Sequence, residues 1–152
     1  MVPRSDLMSM TTITTKEGKP FTYPPEHERS LLKALACAKA SIDKKCERLK
    51  ILDLTDMNAF SDFFVICSGS NEKQVQALCT NIDKMMKEQG MKALTIEGSS
   101  EGRWVLMDYG DIVVHIFLSA IRDYYGIDNL WESARRVVVP PEFYGPSGSE
   151  IN

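Results

Sequence analysis

The side chains in this 152-residue chain that could carry chemistry gather in one stretch, Glu97 to Phe117, EGSSEGRWVLMDYGDIVVHIF. It holds Trp104, Asp108, Tyr109, Asp111 and His115. Two aspartates and a histidine are hard or borderline metal ligands, but three such residues around a tight turn match no known metal spacing. His115 on an open sheet face would suit a general base. No serine or cysteine is tied to it, or to His27 in the polar lead-in to a helix, by a local catalytic pattern. The reading is therefore of no catalytic residue, no metal and no cofactor, with His115 bonded for structure or binding.

A second candidate is the turn Ser68-Gly69-Ser70-Asn71 between an apolar run and a helix. Backbone N–H groups of Gly69 and Ser70 and a helix N-terminus could there face an anion. The signal is weak, because neither GxxxxGK[ST] nor GxGxxG is present and Gly-Ser is also an ordinary way to start a helix. Nucleotidyltransferases pair such a Gly-Ser turn with two carboxylates two apart on the next strand. Asp108 and Asp111 are three apart across a turn, so that metal site is missing.

The elements that must position these residues follow from periodicity. Two apolar runs flanking Asp108-Tyr109-Gly110-Asp111 predict a β-hairpin, with Gly110 shaping the turn through a positive φ. Taking Tyr109 and Gly110 as the two loop residues sets Asp108 opposite Asp111, Leu106 opposite Val113 and Trp104 opposite His115 on one face. The other face, Val105, Met107, Ile112, Val114 and Ile116, has no polar member and is the expected core side. The first face, Trp104, Leu106, Asp108, Asp111 and His115, joined by Tyr109 from the turn, is the candidate protein-binding surface; from the hairpin alone the aspartates read equally as solvated turn residues, with Trp104 lying under another element.

Upstream, Leu31, Leu35, Ala38, Ile42, Cys46 and Leu49 recur at helical steps, with acidic residues at the start and basic ones at the end, as the macrodipole favours. Leu49 to Thr55 predicts a strand and Asp62 to Ser68 a central one buried on both faces. A second helix, capped by Ser70 or Asn71, buries Val75, Leu78, Cys79, Ile82, Met85 and Met86 and ends at Gly90. Lys92 to Glu97 predicts a further strand, and Leu118 to Tyr125 a short helix closed by Gly126. Trp131 is expected to anchor the segment after it. The order α-β-β-α-β-β-β-α implies an α/β (α+β) domain, a mixed five-stranded sheet flanked by helices, over residues 26–137. Residues 1–25 read as a flexible arm and residues 138–152 as a flexible tail.

Length suffices for a core without staples. The four cysteines form no CxxC and sit in apolar patterns, so they read as reduced thiols of a cytosolic protein. No apolar run approaches a membrane span and the N-terminus lacks a signal-peptide core, so no membrane partner is expected. The net charge of −3 argues against a grip on phosphates as the main attachment and favours a basic protein as partner.

Taken together, the blocks D-F-x-x-x-x-S-G-S from Asp62, Gln74-Val75, Glu97-Gly98, W-V-x-x-D-Y-G-D-x-V-V-H-x-F from Trp104, Tyr124-Tyr125 and Leu130-Trp131 resemble the ribosomal silencing factor, or Iojap-like, family. The resemblance covers about Leu31 to Ala134. It implies a nucleotidyltransferase-like fold without the catalytic carboxylates and a non-enzymatic role. The implied role is binding to the large ribosomal subunit through its protein numbered fourteen, which blocks joining of the small subunit and represses translation under nutrient limitation. Contact with rRNA would be secondary, and a homodimer is left open. Trp104, Asp108, Tyr109, Gly110, Asp111 and His115 match the family motif position by position. The absence of an Arg-rich presequence favours a bacterial cytoplasm. A nucleotide-handling enzyme on the same fold is the alternative.

Overall fold

A computed structural model describes residues 12–14 and 20–145. Two short strands, β1 (Thr12–Thr14) and β2 (Pro20–Thr22), pair antiparallel. The region read as an arm thus contains a β-ribbon; the rest of the arm before Thr12 and between the strands lies outside the described residues, as does the tail after Gly145. Tyr23, immediately after the ribbon, is buried, and its hydroxyl donates to Asp53 at 2.8 Å.

Helix α1 (Pro25–Ile42) starts with proline at its first position, where the missing N–H costs nothing. The predicted stripe runs past its end. Lys45 takes a left-handed φ of 56°, and Cys46 and Leu49 belong to the turn and to β3 (Glu47–Asp53). A register shift between Glu47 and Lys50, with Arg48 at φ 52°, kinks the start of that strand. Strand β4 (Phe63–Gly69) follows, and Phe63, Val65, Ile66 and Cys67 are fully buried on its two faces.

Asn71 caps helix α2 (Glu72–Glu88), its side chain accepting from the Gln74 N–H at 2.8 Å. Then come β5 (Thr95–Glu97), β6 (Trp104–Asp108), β7 (Ile112–Leu118), helix α3 (Ser119–Tyr125), the single turn α4 (Ile127–Leu130) and β8 (Arg135–Val137). Gly126, at φ 64°, separates the two helices as a left-handed cap.

The sheet has six strands, in the order β5-β6-β7-β4-β3-β8, one more than the sequence predicts. Its extra member, β8, is a three-residue edge strand whose Arg135-Arg136 carries no apolar alternation to betray it. Only β4 and β7 run parallel. Helices α1 and α2 cover one face, closing a core that includes Leu31, Leu35, Val75, Ile82, Val65, Met107 and Val114. The other face is covered in part. Ile127 and Ala134 pack with Leu52, Ile66 and Phe117, and Trp131 lies against Phe64 with ring centroids 5.3 Å apart. The chain after β8 forms a 3-10 turn, Pro141–Tyr144, and Phe143 and Tyr144 pack on the main core, so this part of the predicted tail is folded.

Two buried polar groups fasten the periphery. Asp53 accepts from Tyr23, from the Thr55 N–H and hydroxyl, and from Arg135. Burial opposes its charge, but these donors outweigh burial and hold the carboxyl below its ordinary range. Arg122, wholly buried on α3, is bound to Asp128, to the Arg48 carbonyl and to Ser68. Among the described residues no helix is long and apolar enough to cross a membrane.

Candidate functional site

The face left open by α3 and α4 is the one carrying Trp104, Leu106 and Asp108, as the pleat alternation requires. The register differs from the expected one. Trp104 pairs with Phe117, Leu106 with His115 and Asp108 with Val113, so the two loop residues are Gly110 and Asp111. Gly110, at φ 90°, stands at the first loop position, where a II′ hairpin turn demands a positive φ. Both registers have the same parity, so the predicted core side holds: Val105, Met107, Ile112, Val114 and Ile116 are all fully buried.

The shift by one residue on each strand separates the two aspartates. Asp108 accepts from the Gly110 N–H at 2.8 Å and so shapes the turn, while Asp111 is joined to Lys33 of α1 at 3.1 Å. The like-charge pair expected across the strands does not exist. Asp108 and Asp111 also sit at the opposite end of the strand from Trp104, about 13 Å away at 3.3 Å per residue. Tyr109 is placed on the core side, 7% exposed, and its buried hydroxyl has no bonding partner among the described residues. Burial raises its pKa. It cannot present itself to a docked protein.

What the fold does gather around Trp104 is a set of rings. The indole, 37% exposed, stacks on Phe117 at a centroid distance of 4.9 Å and 27°. Tyr125 of α3, 56% exposed, leans against it at 4.9 Å. Below lies His115, only 6% exposed, accepting at Nδ1 from the Trp104 Nε1–H at 3.2 Å. Burial lowers the pKa of His115 to about 4, so it is neutral at physiological pH. A hollow of about 250 Å³ runs along this corner between Trp104, Tyr125, Ile121, Arg103, Glu101 and Gly98. Tyr124, strongly exposed, meets Tyr125 edge-on at 5.2 Å and continues the aromatic surface. Glu97, paired with Leu106 and therefore on the same face, and Glu101 are exposed and join no ion pair among the described residues. The result is an aromatic corner edged by two carboxylates and, at Arg103, one exposed cation.

Sequence reasoning missed Tyr125 as a component of this corner; the sequence shows only that Ile121 and Tyr125 are four apart on a short helix and share a face. Nothing in the sequence joins that helix to Trp104 without the sheet order.

The Gly69-Ser70 turn is closed by its own helix. Gln74 reaches back to accept from the Ser70 N–H at 2.8 Å and its hydroxyl at 3.0 Å, and Gln74 donates to the Lys44 and Lys45 carbonyls. The Ser70 donors and the Gln74 N–H are thus already bonded within the turn. Gly69 serves packing, since a Cβ there would press on Val75. The four cysteines are buried and free, and no cluster of three or more metal-binding side chains occurs among the described residues.

Residues 25–149 match the family model described as ribosomal silencing factor during starvation. The chain belongs to the ribosomal silencing factor family. A ribosomal silencing factor from Bacillus subtilis is 40% identical over 108 residues, covering 71% of this chain and 90% of that one. The crystal structure of a Chromobacterium violaceum protein, 33% identical, superposes with a TM-score of 0.65 over 67% of this chain and 85% of that chain. More distantly, the mouse mitochondrial assembly of ribosomal large subunit protein 1 is 31% identical over 47% of this chain and 33% of its own length. The mixed α/β (α+β) fold, a sheet with flanking helices, is thus shared with solved structures of similar sequence.

Proposed function

We propose that this silencing factor acts without catalysis, by docking its aromatic corner on the large ribosomal subunit, chiefly on the protein numbered fourteen at the face that meets the small subunit. The docked domain blocks subunit joining and lowers translation when nutrients are scarce, in a bacterial cytoplasm. The observation that carries this reading is the pairing of Trp104 with Tyr125, two large rings kept partly exposed on the sheet face opposite helices α1 and α2. Rings of this kind in a solvent-accessible hollow are the residues that dominate protein interfaces. The carboxylates of Glu97 and Glu101 suit a basic ribosomal protein and would steer its approach. The name of the mouse relative, which refers to assembly of the large subunit, points to the same subunit. Trp104 and Leu106 remain in the proposed contact surface, Tyr125 joins them, and Asp108, Gly110 and Asp111 serve the turn.

The test is co-sedimentation with separated ribosomal subunits on sucrose gradients. Wild type should migrate with the large subunit only, in a salt-sensitive manner, and Trp104→Ala or Tyr125→Ala should weaken binding by about 30-fold or more, the loss typical of an interface hot spot. Wild type remaining at the top of the gradient at every salt concentration would refute the reading.

A further inference from the structure

His115 is an odd residue for its place. It sits on the central part of the sheet among Phe64, Phe117 and Trp104, with centroids 4.7, 6.1 and 6.1 Å away, where an aliphatic or aromatic side chain would fill the space. Its Nδ1 faces the indole N–H of Trp104, a group that can only donate, so Nδ1 carries the lone pair and the proton resides on Nε2. Nε2 is buried and has no hydrogen-bond partner among the described residues. A buried N–H without an acceptor is costly, and a leucine would avoid that cost. The arrangement therefore gives up stability at one ring nitrogen and gains, at the other, a bond to Trp104.

That bond has a geometric effect. Trp104 lies at the start of β6, directly opposite Phe117, and His115 is the diagonal neighbour two residues back on β7. Phe117 supports the ring from one side but allows it to slide or flip about χ2. The single directional contact to the indole is the Nε1–H to Nδ1 bond, which selects one flip state and sets which edge faces the hollow beside Tyr125. It also uses the indole's only polar hydrogen.

We propose that His115 is a positioning residue of the docking corner: it does not touch the partner, but fixes the Trp104 indole so that the partner meets the ring surface and never the N–H. The partner's complement to Trp104 is accordingly an apolar group or a cation lying over the ring, not a hydrogen-bond acceptor. This rests on the docking reading above, and the measurements below separate the two.

The first is a trans-hydrogen-bond 15N–15N coupling between Trp104 Nε1 and His115 Nδ1 in the intact protein, with the indole signals assigned by Trp131→Phe. A resolved coupling supports the lock; its absence, with both signals sharp, overturns it whatever the binding result. The second compares His115→Asn, whose side-chain oxygen can replace Nδ1 as acceptor, with His115→Leu, which has none. Folded His115→Leu should bind large subunits about tenfold more weakly, the loss expected for one hydrogen bond, and His115→Asn should recover most of that loss. Equal binding by the leucine variant and wild type would overturn the positioning role. Should His115→Leu fail to fold, His115→Asn against His115→Gln, whose oxygen reaches the Nε2 position instead, makes the same comparison: equal binding by the two overturns it. If wild type does not bind subunits while the coupling is present, the docking reading fails and the indole lock stands.

Discussion

Arg122 and Asp128 form a two-pronged ion pair on the inward side of the same short helix that carries Tyr125 outward, with Nε to Oδ2 at 2.9 Å and Nη2 to Oδ1 at 2.8 Å. The remaining guanidinium nitrogen is spent on the Arg48 carbonyl at 2.7 Å and the Ser68 hydroxyl at 2.9 Å. Lys50 adds a contact to Asp128 at 2.6 Å. Arg122 thus ties the helix to two strands at once, and the pose of Tyr125 depends on it.

Replacing Asp128 by Asn should therefore be severe, since it leaves a wholly buried guanidinium without its counter-charge. The expected loss is about 3 kcal/mol, typical of breaking one side of a buried pair, and a fall in Tm on the order of 10 °C. The hydrogen bonds from Arg122, then those from Lys50, hold the Asp128 carboxyl well below its ordinary pKa against the effect of burial. A lowered folded-state pKa gives stability that is present above pH 4 and is lost only as pH falls through the lowered value. Urea unfolding at pH 7 and at decreasing pH should show the wild type losing this contribution only at strongly acid pH, with the variant lower throughout. A Tm unchanged in Asp128→Asn would mean that the pair does not anchor the helix.

Gly98 and Gly110 both adopt positive φ, 83° and 90°, but their surroundings differ. A Cβ at Gly98 would collide with the carbonyl oxygen of Trp104, whereas at Gly110 the nearest atom, Leu94 Cδ1, lies at a comfortable 3.6 Å. Gly110→Ala should therefore cost only the backbone strain, about 1 kcal/mol, and Gly98→Ala that amount plus displacement of the start of β6, about 3 kcal/mol in all. Because β6 starts at Trp104, Gly98→Ala should also reduce docking. Thermal melts of the two variants give the order directly, and the reverse order would show that the glycine before the loop is there for flexibility instead of close approach.

The parts of this fold that sequence reveals are those governed by short periods. The hairpin faces, the two long helices, the Asn71 cap and the Gly126 stop each follow from residues within a few positions of one another, and each stands in the structure. What stayed hidden depends on residues far apart. The hairpin register turned on whether Gly110 is the first or second loop residue, a choice that apolar alternation cannot make because both options keep the same faces inward. Strand β8 is a three-residue edge held by Asp53 and Ile51 pairing with Arg135 and Val137 across more than eighty positions. Lys33, Asp111's partner, is seventy-eight positions away in sequence, so an apparently available carboxylate was already spoken for. The candidate site was legible through Trp104 and not through its aspartates. Only the sheet order brings Tyr125 beside the indole.

The closure of the Ser70 turn by Gln74 bears on the nucleotide alternative. A ligand present at about 100 times its dissociation constant would raise stability by roughly 2.7 kcal/mol, a shift easily seen in a melting curve. ATP with magnesium should produce no shift in this protein, because the backbone donor at Ser70 is already bonded and, among the described residues, no cluster of three or more metal-binding side chains occurs. A dose-dependent rise in Tm, abolished by Gly69→Val, would restore nucleotide binding as a function of the fold here.

The acid behaviour of His115 gives a final measurement. Burial holds the folded-state pKa at about 4, below the ordinary histidine value of about 6.5. The unfolded chain therefore takes up a proton over a range of pH in which the folded protein does not. Stability from this residue is complete above pH 6.5, declines as pH falls, and is gone below pH 4, a loss of at most about 3 kcal/mol. The carboxylates titrate in the lower part of the same window, so wild type alone cannot isolate the effect. His115→Asn can, because it retains an acceptor for Trp104 and has no proton to take up. The difference in unfolding free energy between wild type and His115→Asn should change by roughly 2 to 3 kcal/mol between pH 7 and pH 4, in the direction that favours the variant at low pH. Protonation would also convert Nδ1 from acceptor to donor and set two N–H groups against each other, so the Trp104 indole signal should report the event. A difference that stays flat with pH would show that the imidazole reaches water more readily than its burial among Phe64, Phe117 and Trp104 implies.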